Sequence, residues 1–408
     1  PLPWCPDLAA EALALETELG YLVPSGRYWE EVERFDVAAL DRLVLRQCVG
    51  ELRRIRRQRI PGRIQGLHVV QLADCGHSAD LSGPVADRAI FHTDNAYFLE
   101  HVRIDSYRCK THKQSHTAFR GFGGPQGMIV TETIMGEIAR QLGLDPLAVR
   151  ERNLYGTTER NTTHYGTTVT DNILQPLISQ LAHDCHYAQR RAEIQAWNQT
   201  QPTLQRGLAL TPVKFGISFT ATQFNQAGAL VHIYTDGSVL VNHGGIEMGQ
   251  GLHTKVALIV AHTLGISANR VKVSASDTDK IPNASATAAS SGTDLNGRAA
   301  EFAARHVRSN LAQFVATLDG CTPDEVRFEN DLIHTPSREH RFDDIVSQAY
   351  TQRVQLWSDG FYRTPKIHYD KTTLTGRPFY YFSYGAACSE VAIDTLTGES
   401  RVLAVDIL

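Results

Sequence analysis

The 408-residue chain carries 40 Lys and Arg against 44 Asp and Glu, a net charge of −4. So weak a field gives a nucleic acid no footprint, and 42% hydrophobic residues exclude wholesale disorder. No apolar run nears the roughly 20 residues of a membrane helix, and the length implies two or three domains. Residues 1–61 read apart from the rest: 8–20 (LAAEALALETELG) and 36–52 have helical spacing, and Arg53, Arg54, Arg56, Arg57 and Arg59 follow. With no aromatic platform or reader motif beside it, that arginine run reads as a solvated helix face. The N-terminus lacks the basic-then-apolar layout of a signal peptide. Seven cysteines (Cys5, Cys48, Cys75, Cys109, Cys185, Cys321 and Cys388) form no CxxC pair, which points to reduced thiols in a cytoplasmic protein.

From Gly62 onward the pattern is coherent. Residues 67–72 read as a short strand, 101–109 (HVRIDSYRC) alternate, and a polar loop, THKQSHTAFRGFGGPQG, follows. Pro125 suits the first position of a helix, along which Met128, Thr131, Met135, Ile138 and Leu142 keep 3.6-residue spacing. Gly143 closes that helix, and Asp145 caps another running to Asn153. Further on, strands are predicted at 214–219 and 229–234, with a turn at Asp236-Gly237 into SVLVNHGG. The loop GGIEMGQG precedes a helix over 252–264, and NASATAASSGTD precedes one over 294–318. EVAIDTLTGESRVLAVDIL reads as a C-terminal hairpin. The class is α+β with mixed sheets: an unmatched segment 1–61, a first domain 62–200 and a second domain 201–408.

Three times, then, an extended segment enters a loop of small residues and leaves it as a helix. Backbone N–H groups of such loops, added to a helix N-terminus, suit an anionic group, and small side chains let a flat ligand lie against the backbone. Neither GxxxxGK[ST] nor GxGxxG after a strand is present, so the reading is one large anionic or conjugated cofactor, not an ordinary nucleotide. Metal and nucleophile motifs are weaker. His112 and His116 lack the Glu of HExxH, and His183, Asp184, Cys185 and His186 point in different directions on one helix. No GxSxG elbow supports Ser218 or Ser290 as a nucleophile, and core packing is the default for Phe122 and Phe219.

The block TAFRGFGGPQGM at 117–128 resembles the molybdenum-binding portion of the xanthine dehydrogenase family. The similarity continues through 214–239, 243–255, 286–297, FYRTP at 361–365 and 381–399, covering the chain from Gly62 to Leu408. The resemblance implies two mixed α/β domains, truncated at both ends, that hold a molybdenum–molybdopterin cofactor. It implies that Phe122 and Phe219 flank a purine, that Thr220 contacts it, and that Ala118 is the small residue beside it. Arg88, in DRAIFH, would face the purine carbonyl, where a guanidinium stabilises developing negative charge. Arg120 and Ala289 would contact the molybdenum centre without ligating it, and Gly249, Gln250 and Ser290 would belong to the pterin loops. The implied reaction is hydroxylation of hypoxanthine and xanthine to uric acid in purine catabolism. Electrons would leave through 2Fe-2S clusters and FAD, in partner subunits or further domains, to NAD. Such an oxidoreductase is cytoplasmic and built as a dimer of such units, with no nucleic acid or membrane partner.

Arg88 and the GGPQ of Gly123–Gln126 favour a purine hydroxylase over the aldehyde oxidases of the same family. Two family pieces have no counterpart here. A GGGFGGKE-like loop is expected about 80 residues before Arg88, and the general-base Glu of a VGEPP-like segment is expected beyond Leu408. No catalytic base is therefore assigned within the chain. Two alternatives stand beside the purine reading: an inactive fragment or relic, and an aldehyde or N-heterocycle hydroxylase of the same family.

Overall fold

The computed structural model describes residues 62–281 and 284–408, so the helices and arginine run read in 1–61 lie outside the described residues. The described chain forms two compact units. One holds 62–216, His368–Arg377 and Tyr381–Leu408; the other holds Ile217–Ile367 and Pro378–Tyr380. The C-terminal hairpin thus belongs with the first half of the chain, an arrangement that a single cut near 200 does not express.

The first unit opens as β1 (Gly66–Asp74), α1 (Ser82–His92) and β2 (His101–Cys109). The strands pair in parallel from Gly66 opposite His101 to Asp74 opposite Cys109, and α1 lies on the crossover that parallel pairing needs. In α2 (Gly124–Leu142), Met128, Thr131, Met135 and Ile138 form the buried stripe that their spacing predicts. The helix ends at Gly143, in the left-handed region, with its N–H returned to the carbonyls of Ala139 and Arg140. In α3 (Pro146–Asn153), the Asp145 carboxylate accepts the N–H groups of Leu147 and Ala148. Two further helices follow, α4 (Leu174–Asp184) and α5 (Tyr187–Thr200); the single helix read across 183–186 in fact contains the break between them, with Cys185 and His186 in the connection. Their apolar stripes are thin: Leu174, Ile178 and Leu181 are buried in α4, and Tyr187 and Ile194 in α5. β3 (Leu204–Ile217) is one long strand, where a shorter one over 214–219 was expected.

In the second unit, β4 (Gln226–Ile233) and β5 (Val239–His243) form the expected antiparallel hairpin, closed by Asp236 accepting the Ser238 N–H. α6 (Leu252–Leu264) has the limits its sequence pattern gives. β6 (Val271–Val273) joins the sheet beside β5 in parallel. α7 (Arg298–Asp319) begins four residues later than expected because Thr293–Gly297 winds as a π-helix, a geometry often found at functional sites. A small meander, β7 (Arg327–Glu329), β8 (Leu332–His334) and β9 (Glu339–Arg341), leads to α8 (Phe342–Thr351) and β10 (Trp357–Arg363). The sheet order is β10-β4-β5-β6. Ala299, Ala300, Ala303 and Ala304 of α7 are all fully buried, and a Cβ on Gly360 of β10 would sit 2.1 Å from the Ala299 carbonyl oxygen. Small residues on both sides therefore let this helix lie directly on the strand.

The chain then returns to the first unit as β11 (His368–Asp370) and β12 (Thr375–Arg377), and as the hairpin of β13 (Tyr381–Asp394) and β14 (Ser400–Ile407). β13 lies between β14 and β3. Among the described residues no helix is long and apolar enough to cross a membrane.

Candidate functional site

In the first unit the glycine loop 121–127 forms around two close helices. A Cβ on Gly123 would meet the Val85 carbonyl oxygen at 2.0 Å, and one on Gly127 would meet that of Ala89 at 2.2 Å. Glycine at these places lets α2 start against α1, the helix that carries Arg88. Gly123 also needs its φ of 95°, which side chains avoid. Phe122 itself is held at φ 48°, between Gly121 and Gly123, with its N–H on the Phe119 carbonyl. A bulky residue held in that region is a strained position of the kind that collects at functional sites.

Arg88 is 1% exposed. Its Nη2 donates to the Gly216 carbonyl, and its guanidinium lies 4.8 Å from the centre of the Phe215 ring. Burial lowers its pKa to about 10, against the opposing pull of Tyr165, so it stays a cation at neutral pH. The His92 ring touches the same segment: Gly216 N–H donates to Nε2 at 3.0 Å, and Nδ1 lies 2.9 Å from the Arg88 carbonyl oxygen. His92 and the buried Lys214–Asp94 pair, 3.2 Å apart, were not singled out in the sequence. No local motif marks them, because their partners lie about 120 residues away in the chain. Ala118 and Arg120 lie in an exposed stretch of the same loop.

In the second unit, the segment after β3 is equally constrained. Ser218 is 1% exposed, has φ 156°, and its Oγ accepts the Tyr380 N–H. Both backbone groups of Phe219 bond to one side-chain amide: the N–H donates to Asn225 Oδ1 at 2.8 Å, and the carbonyl accepts from Asn225 Nδ2 at 2.9 Å. Asn225, itself 2% exposed, is a further residue that the sequence does not mark. Thr220 is buried beside it, and Phe224 meets Phe219 edge to face at 5.7 Å.

The other two loops come together in this unit. The Ile246 N–H donates to Thr287 Oγ1 at 2.8 Å, and a Cβ on Gly245 would collide with Leu252 and Asn296. Glu247 fills the start of α6: its carboxylate accepts the N–H groups of Gly249, Gly251 and His253. Partial desolvation raises the pKa of this carboxyl, but those donors outweigh it and hold it below the usual value. Gln250 is also turned inward, with Oε1 on the Met248 N–H and Nε2 on the Ile246 carbonyl. The anion-binding donors expected for a ligand at this helix start are thus engaged by the loop's own side chain. In the third loop Ala289 and Ser290 both take left-handed φ, 58° and 57°, ahead of the π-helix. His243, 1% exposed, accepts the Gly245 N–H on Nδ1, and its Nε2 meets no partner among the described residues.

The metal motifs do not assemble. Cys185 groups with Cys388 and Asp406, not with its neighbours His183 and His186. Asp406 is paired to Arg190 at 2.7 Å, and the Cys388 thiol is pushed up to about 12 by burial, so this trio does not resemble a zinc site.

Two families, each described as a molybdopterin cofactor-binding domain, match residues 60–154 and 180–408. The chain is 41% identical over 347 residues to a xanthine dehydrogenase/oxidase of Gallus gallus and 43% identical to xanthine dehydrogenase 1 of Arabidopsis thaliana. Each alignment covers 85% of this chain and 24% of the relative, so the chain spans about a quarter of their length. The fold is similar to quinoline 2-oxidoreductase from Pseudomonas putida 86, with TM-score 0.73 at 21% identity, and to the Cu,Mo-CO dehydrogenase, with TM-score 0.72 at 20% identity. Both structural matches cover 85% of this chain and 45% of the other.

Proposed function

From its place in the molybdopterin cofactor-binding domain family of the xanthine dehydrogenase type, to which this chain belongs, we propose that it is the cofactor- and purine-binding portion of a molybdenum hydroxylase. The reaction is hydroxylation of hypoxanthine and xanthine to uric acid, with electrons passing through 2Fe-2S clusters and FAD, carried on other domains or subunits, to NAD. The assembly is a cytoplasmic dimer of such units. The sequence domains are 62–200 and 201–408.

The residues present fit a flat, anionic cofactor. His243 Nε2 is a buried donor that meets no partner among the described residues. Gly249 and Gly251 face open space where a Cβ would stand, and the left-handed Ala289 and Ser290 shape a concave backbone. Gly249, Gln250, Ala289 and Ser290 are the residues that would hold the pterin, with Arg120 and Ala289 next to the metal. Because Glu247 and Gln250 engage the N–H groups of their own loop, this cradle would offer shape more than free donors or side-chain charge. When bound, the molybdenum centre supplies the oxygen transfer and takes up the two electrons.

The purine assignment rests on one observation, the buried guanidinium of Arg88 seated on Gly216 and Phe215. A cation fixed in a dry site stabilises negative charge that builds on a purine carbonyl oxygen, an oxygen remote from the carbon under attack, whereas a simple aldehyde develops its charge on the attacked carbonyl itself. Phe122, Phe219, Thr220 and Ala118 are the remaining substrate residues of this reading. The test uses enzyme assembled with this chain and loaded with cofactor. Arg88→Met should lower xanthine turnover by about 10²–10³-fold while sparing a simple aldehyde. Undiminished purine turnover would sink the assignment, and failure of the wild-type chain to take up molybdenum would favour a non-catalytic fragment.

A further inference from the structure

We propose that His92, as its Nδ1–H tautomer, is a positioning residue that fixes the Arg88 guanidinium through Gly216. The tautomer follows from geometry. A backbone N–H can only donate, so the Gly216 N–H at 3.0 Å from Nε2 requires a lone pair there, and the ring proton resides on Nδ1. Nδ1–H then donates to the Arg88 carbonyl at 2.9 Å. The neutral ring thus spans from the last turn of α1 to the end of β3. Gly216 is gripped at both ends, by His92 on its N–H and by Arg88 on its carbonyl. Both side chains rest on Phe215, with the imidazole 4.9 Å and the guanidinium 4.8 Å from its ring centre.

Without His92 the Gly216 N–H is a buried donor with no acceptor, so the strand end must shift to find one. The carbonyl that seats the guanidinium moves with it. Protonation would have the same effect, because Nε2–H would then face the Gly216 N–H. Burial is the main opposition to a charge on the ring, and the cations of Arg88 on α1 and Lys214 on β3 add to it; His164, on the loop after α3, is itself disfavoured as a cation by burial. The latch is therefore closed throughout the neutral range.

This rests on the reading of Arg88 as the substrate-facing cation, yet the test does not need turnover. In the 408-residue chain labelled with ¹⁵N-histidine, the His92 ring should show a protonated Nδ1 and a bare Nε2 at pH 7, and should keep them at pH 5.5. An Nε2–H tautomer, or titration near pH 6.5, would overturn the proposal. His92→Leu should speed exchange of the Gly216 amide proton about tenfold or more and shift the Arg88 Nε resonance. His92→Gln, whose amide can both donate and accept, should restore both signals. A folded His92→Leu chain with an unmoved Arg88 resonance would also overturn it. Should that variant not fold, the wild-type tautomer and the glutamine variant decide. Failure of the Arg88 reading itself is seen separately, as unimpaired xanthine turnover in Arg88→Met enzyme whose His92 latch is intact.

Discussion

The Arg88 segment of the first unit and the loops of the second are built on opposite plans. Around Arg88 the backbone is held by buried side chains: His92 and Arg88 on Gly216, and the Lys214–Asp94 pair beneath them. At 243–251 the loop is exposed at its tip and closed by its own polar residues, Glu247 and Gln250. The first plan fixes one cation in a dry place, where a displacement of a fraction of an ångström changes its electrostatics. The second fixes a backbone outline that tolerates water. On the proposed reading, the first would seat a small heterocycle and the second would outline the place of the cofactor.

Glycines break this comparison most directly. Gly127→Ala puts a methyl 2.2 Å from a backbone oxygen of α1, and neither helix can yield without opening the packing. A loss of about 1–3 kcal/mol or more is expected, read as a lowered urea midpoint of the 408-residue chain. Gly123→Ala should cost more still, because it adds a left-handed φ to the same collision. Gly249→Ala has open space around it and carries only the conformational penalty, about 1–2 kcal/mol. Gly136→Ala, in α2 with nothing near it, should stabilise by up to about 1 kcal/mol. If Gly127→Ala matched Gly136→Ala, the close approach of α1 and α2 would be wrong.

Acid should act through histidines held neutral in both units. Burial, aided by Arg88 and Lys214, drives His92 well below its ordinary pKa, and burial with His253 nearby brings His243 to about 4. Between about pH 6.5 and the folded values the unfolded chain binds protons that the folded chain refuses. Stability is therefore complete above pH 6.5 and is lost as pH falls. Each group adds a slope approaching about 1.4 kcal/mol per pH unit. Urea midpoints from pH 7 to 5 should show it, and His92→Gln and His243→Gln should each flatten the curve by about one proton. A curve unchanged in His92→Gln would place the acid sensitivity outside the Arg88 segment.

The two plans also differ in how readily the sequence discloses them. Local features were legible. The stripe of α2, the Asp145 cap, the Gly143 stop and the limits of α6 come from contacts a few residues apart, and the C-terminal hairpin pairs two strands adjacent in the chain. The three small-residue loops and the family signature likewise sit in continuous stretches. What stayed hidden is what long-range pairing creates. His92 looks like any polar residue until the fold brings Gly216, 124 residues away, against it; Asn225 is only six residues from Phe219, but no standard turn motif marks its amide. The helices α4 and α5 bury too few residues to declare a period. The π-helix before α7 follows a run of alanines and serines whose composition does not distinguish it from a loop.

Glu247 offers the finest test, because its two oxygens carry unequal loads. One accepts from both Gly249 and Gly251 at 2.9 Å, the other from His253 at 3.2 Å. Glu247→Gln keeps a carbonyl oxygen for the glycines but turns an NH₂ group toward the His253 N–H. Exchange of the His253 amide proton should then quicken about two- to tenfold, while those of Gly249 and Gly251 change little. Molybdenum content of the loaded chain should fall only slightly, since the loop keeps its outline. If all three amides exchanged faster together, the loop would depend on the charge of Glu247 and not on its shape. The second unit would then hold its backbone by the same means as the first, through a specific side-chain state.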